Sequence, residues 1–323
     1  MNGLPDRLQE ALARLTEGVS RRELAERARA ISESYRSGGT SKPIADSRDA
    51  LAYALARMPA TYAAVSACLA ALGEARPDFA PTSMIDAGAG PGTAAWAATD
   101  AFSALTDMLL LDANAALLGL AKTLAAGNDR LADAGFRSGS AAQLLANAPA
   151  ADLVVASYVI GELDERERAE TTNVIWERTR DILLVVEPGT PAGYARIIAL
   201  RAQLIATGAH VIAPCPHAKP CPLVAPDWCH FAQRLPRSRD HMLMKDADVP
   251  FEDEKFSYVA LSRHPADAQA ARVLAPPGAN KAAINAKLCT PDGVVDVAIP
   301  RRDKPAYATA RRWRWGDRVQ YSP

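Results

Sequence analysis

The run Met84-Ile85-Asp86-Ala87-Gly88-Ala89-Gly90-Pro91-Gly92-Thr93 constrains the fold more than any other stretch of the chain. A short apolar segment ends in an acid, a glycine-rich turn follows, and an alanine-rich segment opens after it. Glycine lets the backbone come close to a ligand, and a helix N-terminus offers that ligand free N–H groups. The spacing is DxGxGxG, not the GxGxxG that cradles a dinucleotide. The acid precedes the glycines, and Pro91 removes an N–H that a pyrophosphate would use. This order favours a ligand whose amino acid moiety sits at the loop, S-adenosylmethionine, with its ammonium near Asp86. Asp112 closes the next apolar run about 20 residues on, where a carboxylate bonds ribose hydroxyls. Ser140 is placed to flank the adenine, and Ser157 ends a fourth apolar run. The cofactor-binding candidates are therefore Asp86, Gly88, Gly90, Gly92, Asp112, Ser140 and Ser157.

Short apolar runs at 84–86, 108–112, 135–137, 153–157 and 182–187 alternate with helical patterns. Such alternation predicts a parallel sheet covered by helices on both faces, with a ligand crevice at the carboxyl ends of its strands. With the DxGxGxG loop, the pattern predicts an α/β chain built on the doubly wound, Rossmann-like sheet of class I methyltransferases. A Rossmann-like domain for another nucleotide is the alternative. Enzymes that methylate a base amine carry a compact Asn/Asp-Pro-Pro-aromatic motif after the fourth strand. Ser157-Tyr158-Val159-Ile160 stands in its place here. Tyr158 is the candidate for contact with a substrate, and a cavity wall is its plainer role. Glu162 and Asp164 suit the cap of a helix N-terminus better than a general base.

Residues 1–75 read as helical. Leu4, Leu8, Leu12 and Leu15 form one apolar face, and Ser20 with Glu23 resembles a capping box. Ser37-Gly38-Gly39 ends that second helix, and two alanine-rich helices are expected over 45–58 and 60–74. Cys68, in the last of these, suits a small core residue. No uncharged apolar run approaches the ~20 residues of a membrane span. The N-terminus lacks the pattern of a secretory signal, and Asp6, Glu10 and Glu17 interrupt the acid-poor pattern of a transit peptide. A cytoplasmic protein without a membrane partner is the expectation. In a reducing compartment, clustered cysteines serve more often as metal ligands than as disulfides.

Residues 213–231 read APCPHAKPCPLVAPDWCHF and hold three of the five cysteines in the spacing Cys215-x5-Cys221-x7-Cys229. The prolines make this a stiff loop. Structural zinc sites prefer a tight C-x2–4-C knuckle, which is absent. Wider spacing suits thiolates wrapped around a larger object such as an iron–sulfur cluster, which takes four cysteines. Cys289, at the turn of a hairpin expected over 286–290 and 294–299, is the candidate fourth ligand. His217 and His230 are nitrogen alternatives, and Zn2+ is the alternative metal.

The 37 basic and 37 acidic side chains cancel over the whole chain, but not over 301–318. Arg301, Arg302, Lys304, Arg311, Arg312, Arg314 and Arg318 stand there against Asp303 and Asp317, with Tyr307, Trp313 and Trp315 between them. Cations meet phosphate and rings stack on unpaired bases, so Arg311, Arg312, Arg314, Trp313 and Trp315 are RNA-binding candidates. A basic strand with core tryptophans is the plainer reading. The organisation expected is a helical region over 1–75, a cofactor-binding core over 76–265 that includes the cysteine loop, and a basic β appendage over 266–323.

The run CPHAKPCPLVAPDWCHFAQRLPRSRDH resembles the methyltransferase-like protein 17 family, the mitochondrial small-ribosomal-subunit assembly factors and their bacterial relatives. Ala56-Arg57-Met58-Pro59-Ala60-Thr61-Tyr62, Glu187-Pro188-Gly189-Thr190 and Trp315-Gly316-Asp317 also look familial, so the resemblance runs from about residue 45 to near the C-terminus. It implies a class I methyltransferase fold, a [4Fe–4S] cluster on four cysteines, and binding to small-subunit ribosomal RNA during assembly. By position the ligands are Cys215, Cys221 and Cys229, which match the family spacing, and Cys289, by its place in the C-terminal β segment. The expectation is an S-adenosylmethionine-binding, iron–sulfur protein that acts on or binds ribosomal RNA of the small subunit in assembly or translation. A small-molecule methyltransferase with a purely structural metal is the alternative.

Overall fold

The computed structural model describes residues 3–36, 39–265 and 270–321. Helices α1 (Asp6–Thr16), α2 (Arg21–Arg36) and α3 (Ser47–Ala75) come first. Then strands β1 (Ser83–Ala87), β2 (Asp107–Asp112), β3 (Gly135–Ser138), β4 (Ala151–Ser157) and β5 (Thr179–Pro188) alternate with α4 (Thr93–Ala101), α5 (Ala115–Ala125), α6 (Ala141–Ala146) and α7 (Glu165–Glu177). After α8 (Pro191–Ala206) the chain forms β6 (His210–Ala213), β7 (Phe231–Pro236), α9 (Arg239–Lys245) and β8 (Phe251–Ser262).

These eight strands make one sheet in the order β3-β2-β1-β4-β5-β8-β6, with β7 paired to β8. Strands β1 to β5 pair in parallel, while β8 runs antiparallel to β5, β6 and β7. A doubly wound sheet that switches direction between β1 and β4, with one reversed strand beside β5, is the class I methyltransferase arrangement. The central strands are apolar throughout because both faces are covered: every residue of β1 is buried, as are six consecutive residues of β5, 182–187. The five strands expected from the alternation are parallel as predicted, and β6 to β8 extend them into a mixed sheet, because β8 returns from a loop and needs no crossover helix. Its first half pairs with β7, whose mixed FAQRLP sequence lacks the alternation that marks a strand.

One further expectation is corrected at the N-terminal side. The two helices expected over 45–58 and 60–74 are one helix, α3, with Pro59 inside it. Proline removes an intrahelical bond and costs about 3 kcal/mol in a helix interior. Here Leu51, Leu55, Met58, Tyr62, Val65, Leu69 and Leu72 are all buried along the same helix. At 1.5–3 kcal/mol for each large side chain, that packing outweighs the break. An Asp46–Asp49 capping box fixes the start of α3. By length and composition α3 could cross a membrane, yet 56% of its most apolar window is buried against the rest of the protein. The Ser20 hydroxyl accepts from Glu23 N–H at 3.3 Å, as expected for the start of α2. Ser37 and Gly38, read as the end of α2, lie outside the described residues.

The C-terminal residues form a second, antiparallel sheet from β9 (Ala271–Val273), β10 (Gly278–Ala279), β11 (Ala283–Thr290), β12 (Gly293–Pro300) and β13 (Arg318–Val319). The expected hairpin is β11–β12, with Cys289 opposite Val294 one residue before its turn. Its small core is Val273, Leu288, Val297 and Val319. The basic segment is not a strand over its length. It is a short helix, α10 (Lys304–Ala310), followed by turns into β13, because Asp303 caps a helix that Pro305 fits at its first turn.

Candidate functional site

The carboxyl ends of β1, β2 and β4 bring the cofactor candidates to one end of the main sheet. The backbone at Gly88, Gly90 and Gly92 has φ of 74°, 54° and 82°, the left-handed region that glycine enters freely. At Gly88 an added Cβ would also lie 2.4 Å from Val159 Cγ2, so the loop and the turn after β4 press together there. Asp112 holds the loop: its carboxylate accepts from Gly90 N–H at 2.7 Å and from Asn114 N–H at 2.7 Å. Burial raises the Asp112 carboxyl and those two amides oppose the rise.

Asp86 is 1% exposed, and neither carboxyl oxygen makes a well-formed hydrogen bond. Burial pushes it up to about 7, with slight relief from the Ala95 amide at the start of α4 and a further push from Asp112. A buried carboxyl with two empty acceptors beside a glycine loop is complementary to a cation. The residues present thus fit S-adenosylmethionine, whose methionine end is cationic. Ser157 is half-buried at the end of β4, and exposed Ser140 stands at the start of α6 without a side-chain cap bond.

Tyr158 has φ of 58°, an unusual left-handed backbone for a non-glycine residue. Its hydroxyl donates to Glu254 at 3.0 Å, and Glu254 also accepts from Arg57 at 3.2 Å. Tyr158, Arg57, Tyr35, Tyr53, Glu162 and Pro188 line a wide cavity at this end of the sheet. Asp164 caps α7 in a capping box with Glu167, as the sequence suggests. Glu162 does not cap. Its carboxylate accepts from Tyr35 O–H and Ser41 N–H, both at 3.1 Å, and so fastens the α2–α3 connection across the strand ends.

The second site joins the two sheets. Cys215, Cys221, Cys229 and Cys289 line one cavity, with His217, Tyr194, Arg201 and Arg272. Cys289 reaches it because β11 pairs with β9, placing Cys289 opposite Arg272. Lys219 straps the loop to the hairpin through the Pro291 carbonyl at 3.0 Å. Burial raises the thiols of Cys215 and Cys229, and raises Cys289 to about 12; the Arg201 guanidinium beside Cys215 pulls the other way. Tyr194 O–H donates to Cys221 Sγ at 3.1 Å. Of the two alternative nitrogen ligands, His217 lies in the cavity, with Nε2 3.7 Å from Cys289 Sγ. His230 does not; its ring stacks on Trp228 and meets Trp315 edge-on. Among the described residues, no group of three or more His, Cys, Asp or Glu side chains gathers around a single-ion site. The cavity does fit an anionic thiolate-bound centre: two buried guanidiniums face it, and among the described residues neither has a carboxylate partner.

The basic segment divides. Arg311, Arg312 and Arg314 are exposed, and none forms an ion pair among the described residues. Trp313 packs on the core of the second sheet and Trp315 on the main core, with its indole N–H buried. The arginines are free to meet phosphate, while the tryptophans are committed to packing.

Arg201, Arg272 and Tyr194 escaped the sequence reading. Arg201 was findable, because it rides on the otherwise apolar stripe Ile197, Leu200 and Leu204 of α8. Arg272 sits in the three-residue strand β9, too short for any periodicity to mark it.

Residues 47–320 match the family model described as mitochondrial small ribosomal subunit Rsm22. The chain is 30% identical over 286 residues to the Homo sapiens protein named ribosome assembly protein METTL17, mitochondrial; the match covers 83% of this chain and 61% of that protein. The chain thus spans about three fifths of that relative's length. Among solved structures it is similar to the magnesium protoporphyrin IX methyltransferase of Synechocystis PCC 6803 with bound SAM: 13% identity, 68% of this chain and 84% of that one, TM-score 0.40. It is similar also to the precorrin-6y C5,15-methyltransferase of Geobacter metallireducens GS-15: 13% identity, 60% of this chain and 85% of that one, TM-score 0.40. Both likenesses are distant, and the fold rests on the sheet order, not on them.

Proposed function

The chain belongs to the Rsm22 family, the family of METTL17, and from that premise we propose that it is an assembly or translation factor of the small ribosomal subunit. In this reading it binds S-adenosylmethionine at the DxGxGxG loop. It binds ribosomal RNA through the basic C-terminal segment, and holds a [4Fe–4S] cluster on Cys215, Cys221, Cys229 and Cys289. The observation that carries the reading is a family match over 47–320, which takes in both sheets and all four of these cysteines.

Three features support the details. The buried, unpartnered carboxyl of Asp86 suits the methionine ammonium, and Asp112 is placed for the ribose. S-adenosylmethionine would supply a methyl group; this chain's residues bind and orient it. Four thiols line one cavity, and the sequence spacing Cys215-x5-Cys221-x7-Cys229, without a tight C-x2–4-C knuckle, favours a polynuclear cluster over zinc. The exposed Arg311, Arg312 and Arg314 beside that cavity's second sheet favour a phosphate backbone. The cluster then joins the cofactor-binding core to the RNA-facing sheet.

The wide cavity lined by Tyr35, Tyr53 and Tyr158 favours a second reading, methyl transfer to a small acceptor. Ribosome co-sedimentation, with ribosomal RNA methylation mapped in a deletion strain, separates the two. Co-sedimentation with the small subunit is expected. A protein that stays with the soluble fraction under low salt, and whose deletion leaves subunit assembly intact, would fit the small-acceptor reading instead.

A further inference from the structure

Two buried cations beside the cysteines lack an anionic partner. Arg201 and Arg272 are 2% and 3% exposed. Arg201 donates to the carbonyls of His217 and Lys219, and Arg272 to those of Pro214 and Gly316. Among the described residues neither meets a carboxylate, and Arg201 Nε is buried with no partner. Two less buried arginines are paired instead, Arg196 with Glu187 and Arg57 with Glu254. A buried charge without a counter-charge is costly, so the cavity is built for something negative. Both guanidiniums line it, with Tyr194 donating its hydroxyl to Cys221.

We propose that Arg201 and Arg272 are the built-in counter-charge of the four-cysteine site, and that together with Tyr194 they set the reduction potential of the centre it holds. This rests on the tetrathiolate reading above. Four thiolates outweigh the positive charge of the core they bind, so the filled site is anionic with iron–sulfur or with zinc. Reduction adds one electron to the core, leaves its four thiolate bonds in place, and makes the site more negative. Fixed cations in a dry cavity stabilise the reduced form more than the oxidised one, and an O–H bond to sulfur acts in the same direction. Arg272 has a defined position for this, directly opposite Cys289 across β9 and β11.

The test uses the full chain, reconstituted anaerobically with iron and sulfide, titrated with dithionite and followed by electron paramagnetic resonance. Arg201→Met and Arg272→Met should each move the midpoint to more negative potential by at least a tenfold change in the one-electron equilibrium, about 59 mV. Arg201→Lys and Arg272→Lys should stay close to wild type, and Tyr194→Phe should move the same way by less. Met variants with full iron and an unchanged midpoint overturn the proposal. Where a Met variant retains no iron, retention by its Lys counterpart supports the charge role, and equal loss by both overturns it. If the wild type takes up zinc instead, which has no redox couple, the reduction-potential role is overturned, and chelator competition tests the counter-charge alone: faster release from Met than from Lys variants supports it, and equal release overturns it. A wild-type protein that takes up neither metal sinks the tetrathiolate reading itself, and the counter-charge falls with it.

Discussion

The two sites of this molecule are unfinished in opposite senses. At the glycine-loop end a carboxyl, Asp86, is buried with both oxygens unpartnered. In the cysteine cavity two guanidiniums, Arg201 and Arg272, are buried without carboxylates. Around each the other charges are satisfied: Asp112 by backbone amides, Glu162 by Tyr35 and Ser41, Glu187 by Arg196. A fold that settles its neighbours and leaves these groups open is arranged for a cation at one site and an anion at the other. The contrast predicts ligand charge at both sites without reference to any particular ligand.

The largest test of the contrast removes the anion. Cys289→Ser should abolish iron retention and loosen the second sheet, since Cys229 and Cys289 close a chain segment on the order of sixty residues. By analogy with a disulfide, that closure contributes about 4 kcal/mol. Iron analysis with limited proteolysis near residues 262–275 reads it; a variant with full iron would put His217 in place of Cys289.

At the glycine loop, Asp86→Asn should lower affinity for S-adenosylmethionine more than tenfold by calorimetry while raising, not lowering, the Tm of the ligand-free protein at pH 8. The sign follows from burial. The native carboxyl holds its proton up to about 7, against an ordinary value of 3.8. It therefore costs nothing at pH below 4, and the cost grows as pH rises to 7 and stays in full above, up to about 4 kcal/mol. Because the ligand ammonium favours the ionised form, wild-type affinity should rise with pH up to about 7 and then level off. A pH-independent affinity would disconnect Asp86 from the ligand.

Neutralising Arg311, Arg312 and Arg314 together should weaken RNA binding and flatten its salt dependence by about two logarithmic units of slope, at ~0.7 per phosphate contact. Trp313→Ala and Trp315→Ala should act through stability instead, because both rings are packed. The smallest effect belongs to Tyr158→Phe, which loses one buried hydrogen bond to Glu254 and about 1 kcal/mol of stability. An unchanged Tm with lost methyl transfer would move Tyr158 from the cavity wall to the substrate.

How much was legible beforehand differs between the two sites. Asp86 is contiguous with the glycine loop and Asp112 ends the next strand, so their chemistry is written in short-range order; only the packing of Val159 on Gly88 was hidden. Three of the four cysteines lining the second cavity were equally local. The tryptophans of the basic segment were not, since a Trp among arginines reads alike whether it packs inward or stacks outward. The single span of α3 was hidden for a related reason: Pro59 carries a local penalty that only distant packing overrides.

By itself, the sequence determined the identity of the elements: a strand, a DxGxGxG turn and a helix, and a stiff loop with three thiols. These follow from backbone conformations and apolar periods that each residue imposes on its neighbours. Tertiary structure alone decided which charges would meet. Arg201 on α8, Arg272 on β9 and Cys289 on β11 are separated by tens of residues and share a cavity only because the second sheet docks on the first. Burial then converts that proximity into an electrostatic demand, and burial is a property of the packed chain.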